Sequence, residues 1–399
     1  MSEANEKWKP LEKERYPWES QYGLSMLSRK QRTKIEDTYE ATVPQKISKL
    51  NVDTPHDLQA QMSELLVLLS RFDATQATKP YTFPAMLLRS ESAASSEIEH
   101  LTSSIKNIAL AQLTPHTSQN AQIIAGNVDA MHTAMSLPGD LSVETISEVH
   151  KALMRRSGVD FAGKIRTQQV WIGGNSVSPH SAFFVPPHHK RVQGCLKDLV
   201  AYASRLDIIP IVKAAIVHAQ FETIHPFIDG NGRTGRTLLH KILKQDEVLQ
   251  TVTLPISAGL LHNISGYMDS LHEYQSGNPI AIIQQVTDAL ELAINIGGIV
   301  SEKIDEIYNT WLTEITDTKA SGIWNLLPLL VEQPVVDSKY ISEKLGITLR
   351  GANKLLEKAQ DYDILQKFGH EKRGIYYQAK DLVTIFNHAA DVKKNAQAS

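Results

Sequence analysis

The stretch "HPFIDGNGRTGR" at 225–236 constrains this chain more than any other. Upstream, "PIVKAAIVHAQFETIH" repeats its apolar residues at amphipathic helical spacing, and downstream "GRTLLHKILKQ" does the same. The pattern predicts a helix ending near His225, a short loop, and a second helix beginning near Asn231. Gly230 and Gly232 permit backbone angles closed to other residues. Consecutive amide N–H groups can then converge on one concavity at the second helix's start, a nest that attracts phosphate. Arg233 and Arg236 are three apart, so both guanidinium groups share one face and each can grip a phosphate oxygen bidentately. Asp229 offers a hard oxygen ligand suited to the Mg²⁺ that accompanies a nucleotide tail. His225 supplies a base that titrates near neutral pH. Together these groups predict attack on phosphorus.

Two other readings of the same residues fail on spacing. Counted from Asp229 as a calcium loop, the fifth position is Arg233, the sixth is Thr234 where Gly is needed, and the twelfth is His240. "GNGRTGRT" fits a P-loop only with Arg for Lys, and a P-loop follows an apolar strand, whereas this segment follows a helical pattern.

With 399 residues the chain has room for two or three domains. The remaining pattern is mainly α. Helical spacing runs from "RKQRTKIEDTYEATVPQKISKL" through "LQAQMSELLVLLSRFDA", then through "PAMLLRSESAASSEIEHLTSSIKNIALAQL", "NAQIIAGNVDAMHTAM" and "SVETISEVHKALMRR". Residues 1–20 predict a loosely held arm. "GKIRTQQVWIGGNSVSPHSAFFVPPHHKRV" breaks the pattern with β-branched and aromatic residues between Gly-Gly, Ser-Pro and Pro-Pro, which predicts an irregular hairpin. Within it Trp171 is expected in the core, and His188 and His189 as loop residues without metal-ligand spacing. Around "TDTKASG" (316–322) a polar break predicts two separate cores.

Net charge is −3, which excludes a global basic field drawing the molecule to nucleic acid or anionic lipid. The single cysteine, Cys195, cannot form an internal disulfide and suits a reducing compartment. "MSEANEKWKP" has no apolar signal core, and no stretch approaches the ~18 apolar residues of a membrane span. A soluble cytoplasmic protein without membrane contact is expected.

The residues from His225 to Arg236 resemble the Fic family signature, H-x-F-x-[D/E]-G-N-G-R-x-x-R, and match every fixed position. Members typically move AMP from ATP to a hydroxyl of a target protein. The resemblance implies that His225 is the general base for a target Ser, Thr or Tyr, and that Asp229 holds Mg²⁺ bridging the α- and β-phosphates. It implies an anion hole from the backbone of Gly230, Asn231 and Gly232, with Asn231 also positioning phosphate. Arg233 and Arg236 would bind the β- and γ-phosphates, Thr234 and Gly235 would complete the nucleotide-binding stretch, and Phe227 would anchor the loop in the core. "YEATVPQKI" at 39–47 resembles an N-terminal helical region, and 163–192 resembles a flap hairpin that binds the target protein by β-augmentation. Tyr267 in "SGYMDSLHEYQSGNP" is the candidate for stacking on the base, with core packing as the alternative.

"SSEIEH" (95–100) resembles the inhibitory motif [S/T]-x-x-x-E-[G/N] of self-restrained members, with Ser95 and Glu99 on one helix face. It implies a salt bridge from Glu99 to Arg236 that displaces the γ-phosphate. His100 stands where Gly or Asn is usual. The C-terminal part resembles a winged helix, with "KYISEKL", "GIT", "LRGANKLLEKAQ" and a wing in "ILQKFGHEKRGIYYQ". Arg350, Lys354 and Lys358 on its recognition helix, with Lys372 and Arg373 on the wing, could meet DNA. Acidic Glu357, Asp361 and Asp363 dilute that face and favour protein contact.

The expected organisation is therefore residues 1–110 as a helical region with the inhibitory helix, 111–315 as the catalytic core, and 323–390 as a winged helix. The expected activity is protein adenylylation with ATP and Mg²⁺, including self-modification, in a chain that could form a homodimer. Removal of AMP at the same site, with Glu99 orienting a water, and a DNA-binding regulator that senses ATP are the alternatives.

Overall fold

The computed structural model describes residues 7–19, 28–33, 35–81, 84–175, 177–370 and 374–385. Residues Glu12–Pro17 (β1) and Thr38–Val43 (β2) flank a short helix, Arg29–Arg32 (α1), and pair antiparallel with Glu12 opposite Val43. Helices α2 (His56–Ala77), α3 (Pro84–Ile98), α4 (Ile105–Leu113), α5 (Gln119–Ser136) and α6 (Val143–Met154) follow. A long irregular connection leads to α7 (His189–Ala203), α8 (Pro210–Ile224), α9 (Asn231–Gln245), α10 (Ile256–His262), α11 (Ile264–Gln275) and α12 (Ile280–Glu314). The chain then forms α13 (Ile323–Glu332), β3 (Val335–Val336), α14 (Ser338–Leu345), α15 (Leu349–Asp361), β4 (Gln366–His370) and β5 (Gly374–Gln378).

Local chemistry sets many of these boundaries. Ser104, Ser118 and Ser142 cap α4, α5 and α6 by accepting a backbone N–H three residues on, and Pro210 opens α8 at its first turn. Helix α8 is the centre of the molecule, packed against α7, α9 and α12. The sequence reads as amphipathic there, yet every residue from Ile211 to Phe221 is buried. Its polar positions are satisfied inside: Lys213 pairs with Asp246 at 2.8 Å, His218 Nε2 meets the Tyr267 hydroxyl at 2.8 Å, and Gln220 binds Tyr274 at 2.9 Å.

Several expectations need correction. The helical reading of "YEATVPQKI" gives way to strand β2, whose Tyr39 and Ala41 are buried on one face. The arm expected to be loose contributes β1, and Trp8 and Trp18 pack on Tyr274 and Tyr39. The region read as one helix from Pro84 to Leu113 breaks at His100, which takes a left-handed backbone (φ 62°) and separates α3 from α4.

The break before α13 is present, but it does not divide two cores. Buried apolar residues from Ile47 through Trp311 to Leu326, Leu356 and Leu382 form one contiguous cluster. Arg89 of α3 is sealed at this junction and donates to Gln112 Oε1 (2.8 Å), the Glu332 carbonyl (2.6 Å) and Gln333 Oε1. The C-terminal sheet has strand order β3-β5-β4, and the elements there run helix–strand–helix–helix–hairpin. On α15, Arg350 and Lys354 are exposed, but Lys358 is paired with Asp317. Lys372 and Arg373 lie outside the described residues.

Candidate functional site

The loop between α8 and α9 is built by its own residues. Helix α8 ends at His225, which adopts a left-handed backbone (φ 49°) and donates its N–H to the Phe221 carbonyl at 2.9 Å. For a non-glycine residue that conformation costs ~1–2 kcal/mol, so neighbours must hold it. Arg166 does so from a buried position, donating Nε to the His225 carbonyl at 2.8 Å. Phe227 is fully buried, stacked on the His150 ring at 3.7 Å. Gly230 has φ 75° and turns the chain into α9, as the sequence predicted. Gly232 is helical and needs no special angle; a Cβ there would lie 2.6 Å from Glu99 Oε1, so a side chain would push that carboxylate aside.

Asn231 gives both ends of its amide to Phe227, donating to the carbonyl and accepting from the N–H, each at 2.9 Å. Its side chain therefore braces the loop, and its backbone N–H is what it can offer a phosphate. Thr234 is likewise structural, its hydroxyl donating to the Gly230 carbonyl at 2.8 Å. The first turn of α9 is left with backbone donors directed outward, the arrangement suited to an anion.

Among the described residues His225 Nδ1 is sealed without a hydrogen-bond partner, which leaves Nε2 as the ring nitrogen open to the cavity. Burial pushes its pKa down to about 4, and the nearby Arg166 guanidinium adds to the shift. The imidazole is thus neutral, and able to accept a proton, at neutral pH.

Glu99 sits between both signature arginines. It accepts from Arg236 Nη2 at 2.8 Å and from Arg233 Nε at 2.9 Å, so it captures one guanidinium more than the sequence predicted. Ser95 completes the contact: its hydroxyl accepts from Arg236 Nε at 2.8 Å and its carbonyl from Nη2 at 2.7 Å. Burial alone would favour a neutral guanidinium at Arg236, but the Glu99 carboxylate outweighs it and holds the group protonated. His100 keeps the helix end: its N–H donates to the Glu97 carbonyl at 2.9 Å, and that of Leu101 reaches Ser96 at 3.0 Å.

These groups open on one cavity of about 610 Å³, a volume suited to a nucleotide-sized ligand. Its walls include Glu99, Trp171, Ile172, Glu222, His225, Asp229, Gly232, Arg236, Tyr267 and Met268. Tyr267 is only 1% exposed and its hydroxyl is engaged by His218, so its ring is packed rather than laid open for a base. Trp171, expected in the core, is half-buried in the cavity wall, edge-on to Trp18. The expected hairpin is a loop closed, among the described residues, by one antiparallel bridge, Ile172 to Phe184, and contains a short 3₁₀ turn at Pro179–Ser181. Asp229 is exposed at the rim; its Oδ1 accepts from the Gly230 N–H at 2.6 Å. Among the described residues no cluster of three or more His, Cys, Asp or Glu could enclose a metal.

Sequence reasoning missed the residues that set this geometry. Arg166 also donates to the Gln168 carbonyl at 3.1 Å and the Pro187 carbonyl at 2.5 Å, tying both ends of the flap loop to His225. His150 Nδ1 accepts from the Gly163 N–H at 2.9 Å, so Nε2 carries the proton and donates to the Asp229 carbonyl at 3.0 Å. Strand β2 accepts the flap on its open edge, Thr42 donating to the Val185 carbonyl at 3.0 Å. A basic residue between β-branched neighbours, and a lone histidine on an apolar helix face, carry no distinctive sequence signal.

Residues 140–243 match the Fic/DOC family, a stretch that includes α8, the loop and most of α9. Over 181 residues it is 32% identical to protein adenylyltransferase fic-1 of Caenorhabditis elegans, covering 44% of this chain and 33% of that protein. A probable protein adenylyltransferase of Aquifex aeolicus is 33% identical over 107 residues, covering 27% of this chain and 31% of its own length. The chain thus spans about a third of the length of these curated relatives. A Fic family protein from Desulfovibrio desulfuricans shares the fold, with a TM-score of 0.52 over 82% of this chain and 97% of its own at 21% identity. Among the described residues no helix is long and apolar enough to cross a membrane.

Proposed function

We propose that this chain is a protein adenylyltransferase that moves AMP from ATP to a hydroxyl of a target protein, restrained by its own Glu99. The observation that carries the reading is one cavity holding a neutral His225, with Nε2 open, beside the glycine-rich start of α9. His225 would take the proton of the incoming hydroxyl, whose oxygen then bonds to the α-phosphorus as the bond to the β-phosphate oxygen breaks. Pyrophosphate leaves with the charge. The N–H groups at the start of α9 would stabilise charge on the phosphoryl oxygens, and Arg233 and Arg236 would hold the departing phosphates. Asp229, exposed and with one oxygen free of hydrogen bonds, fits a Mg²⁺ held by one carboxylate and phosphate oxygens, which would supply charge neutralisation.

In the conformation described, Arg233 and Arg236 are both occupied by Glu99. A γ-phosphate and this carboxylate would compete for the same guanidinium, which supports self-restraint. The half-buried free thiol of Cys195 suits the cytoplasm. Incubation of the chain with α-labelled ATP and a cell lysate tests the reading. Label retained on a protein after denaturation is the expected result. Label that stays with free nucleotide, for both the native chain and a Glu99→Gly variant, would overturn it.

A further inference from the structure

Glu222 lies one turn before His225 on α8, and its carboxyl group lines the same cavity. Oxygen Oε1 is sealed from solvent with no hydrogen-bond partner among the described residues, and Oε2 is open to the cavity, also without one. The neighbouring carboxylates on α3 and at its C-terminal end are satisfied. Glu99 holds two guanidinium groups, and Glu91 accepts from the Ser257 N–H at 2.7 Å and from its hydroxyl. A buried carboxyl group without a donor is costly to ionise, which pushes the Glu222 pKa up to about 7, and that cost would be offset by a donor reaching Oε2.

Its position indicates what that is. Oε1 lies 2.4 Å from where a Cβ on Gly235 would stand, as Glu99 Oε1 lies 2.6 Å from a Cβ on Gly232. The two carboxylates therefore sit along one face of α9, one at the anion nest and one a turn further, about 4.5 Å along the axis. Phosphate groups carry no donors at neutral pH and would be repelled by the ionised form of Glu222. The donors of a nucleotide are its sugar hydroxyls and its base amino group. With the phosphates on the nest, the sugar is the part bonded directly to them. Trp171, Met268 and Leu271 on the surrounding wall offer apolar surface for the rest of the nucleoside.

We propose that Glu222 recognises the nucleoside in this cavity, accepting at Oε2 a hydrogen bond from a nucleoside donor, with a ribose hydroxyl the nearest source. The inference rests on the nucleotide reading of the site. Calorimetric titration of the full chain with ATP, 2′-deoxy-ATP, 3′-deoxy-ATP and the triphosphate of purine riboside, which lacks the 6-amino group, tests it. Wild type should bind the analogue missing the relevant donor about ten- to a hundredfold more weakly than ATP. Loss with a deoxy analogue identifies the sugar as the source, and loss with purine riboside identifies the base. Glu222→Leu, which fills similar space, should bind all four nucleotides alike. Glu222→Gln, which keeps an acceptor oxygen, should retain the preference. Equal binding of all four by wild type would overturn the inference, as would an unchanged preference in Glu222→Leu. ATP binding with an indifferent Glu222 refutes this inference alone, whereas no ATP binding by either the wild type or Glu99→Gly removes the reading of the preceding subsection as well.

Discussion

Replacing Glu99 by glycine should affect stability and nucleotide affinity in opposite directions. The carboxylate accepts at 2.8 and 2.9 Å from guanidinium groups whose side chains are 3% and 5% exposed, while Glu99 itself is 28% exposed. A hydrogen bond to a charged group is worth ~1.5–3 kcal/mol, so two set a ceiling of roughly 3–6 kcal/mol. Solvent reaching Glu99 lowers this, and Arg236 keeps its contacts to Ser95. Leaving two nearly sealed guanidinium groups without their anion should destabilise the nucleotide-free chain by about 3 kcal/mol, the lower end for a broken buried pair. The same loss vacates the place of a phosphate. Allosteric couplings of ~1–3 kcal/mol correspond to roughly 5–150-fold, so ATP affinity and AMP transfer should rise within that range. Thermal melts with and without Mg-ATP, alongside label transfer, read both effects. The variant should melt lower than wild type without nucleotide and gain more from ATP. Unchanged ATP affinity together with unchanged transfer would refute the argument.

Other consequences can be measured independently. Because burial and Arg166 place the His225 pKa at about 4, the neutral base is lost only as pH falls through that value, and the acid limb of kcat/KM should lie near pH 4 instead of 6.5; a limb at 6.5 would contradict the buried ring. Arg166→Ala removes the tie between the flap loop and the His225 carbonyl, so transfer should fall ~10–100-fold while ATP affinity changes less; equal loss in both would mean a general folding defect. Deleting residues 323–399 uncovers Arg89 and the apolar faces of α3 and α4, so the remaining chain should melt at lower temperature or aggregate; a cooperative melt at the wild-type temperature would restore the picture of two separate cores.

The loop from His225 to Arg236 was legible because its chemistry is local. A glycine at a positive φ, two arginines on one helix face and a helix start are all encoded within a few residues. Glu99 was legible only through the family motif, and its second partner, Arg233, depends on how α3 crosses α9. The N-terminal strands were read as helix and arm although Tyr39, Ala41 and Val43 recur with the period of two that a strand shows; pairing with β1 and the flap decides the matter. Helix α8 was read as amphipathic because its polar residues find partners on α9, α11 and the loop after β2, which no periodicity reveals. Arg166, His150 and Glu222 were invisible for the same reason: each acts through groups distant in sequence or through a cavity that several helices enclose.

The central claim is that His225 removes a proton from a target hydroxyl in a cavity that binds ATP by other groups. Transfer of α-labelled AMP by His225→Ala in the Glu99→Gly background, measured beside ATP affinity in the same protein, tests it most directly. The account predicts transfer reduced ~10²–10⁴-fold with ATP affinity nearly unchanged, since the α9 backbone and Arg233 and Arg236 remain. Transfer at the undiminished rate would contradict it.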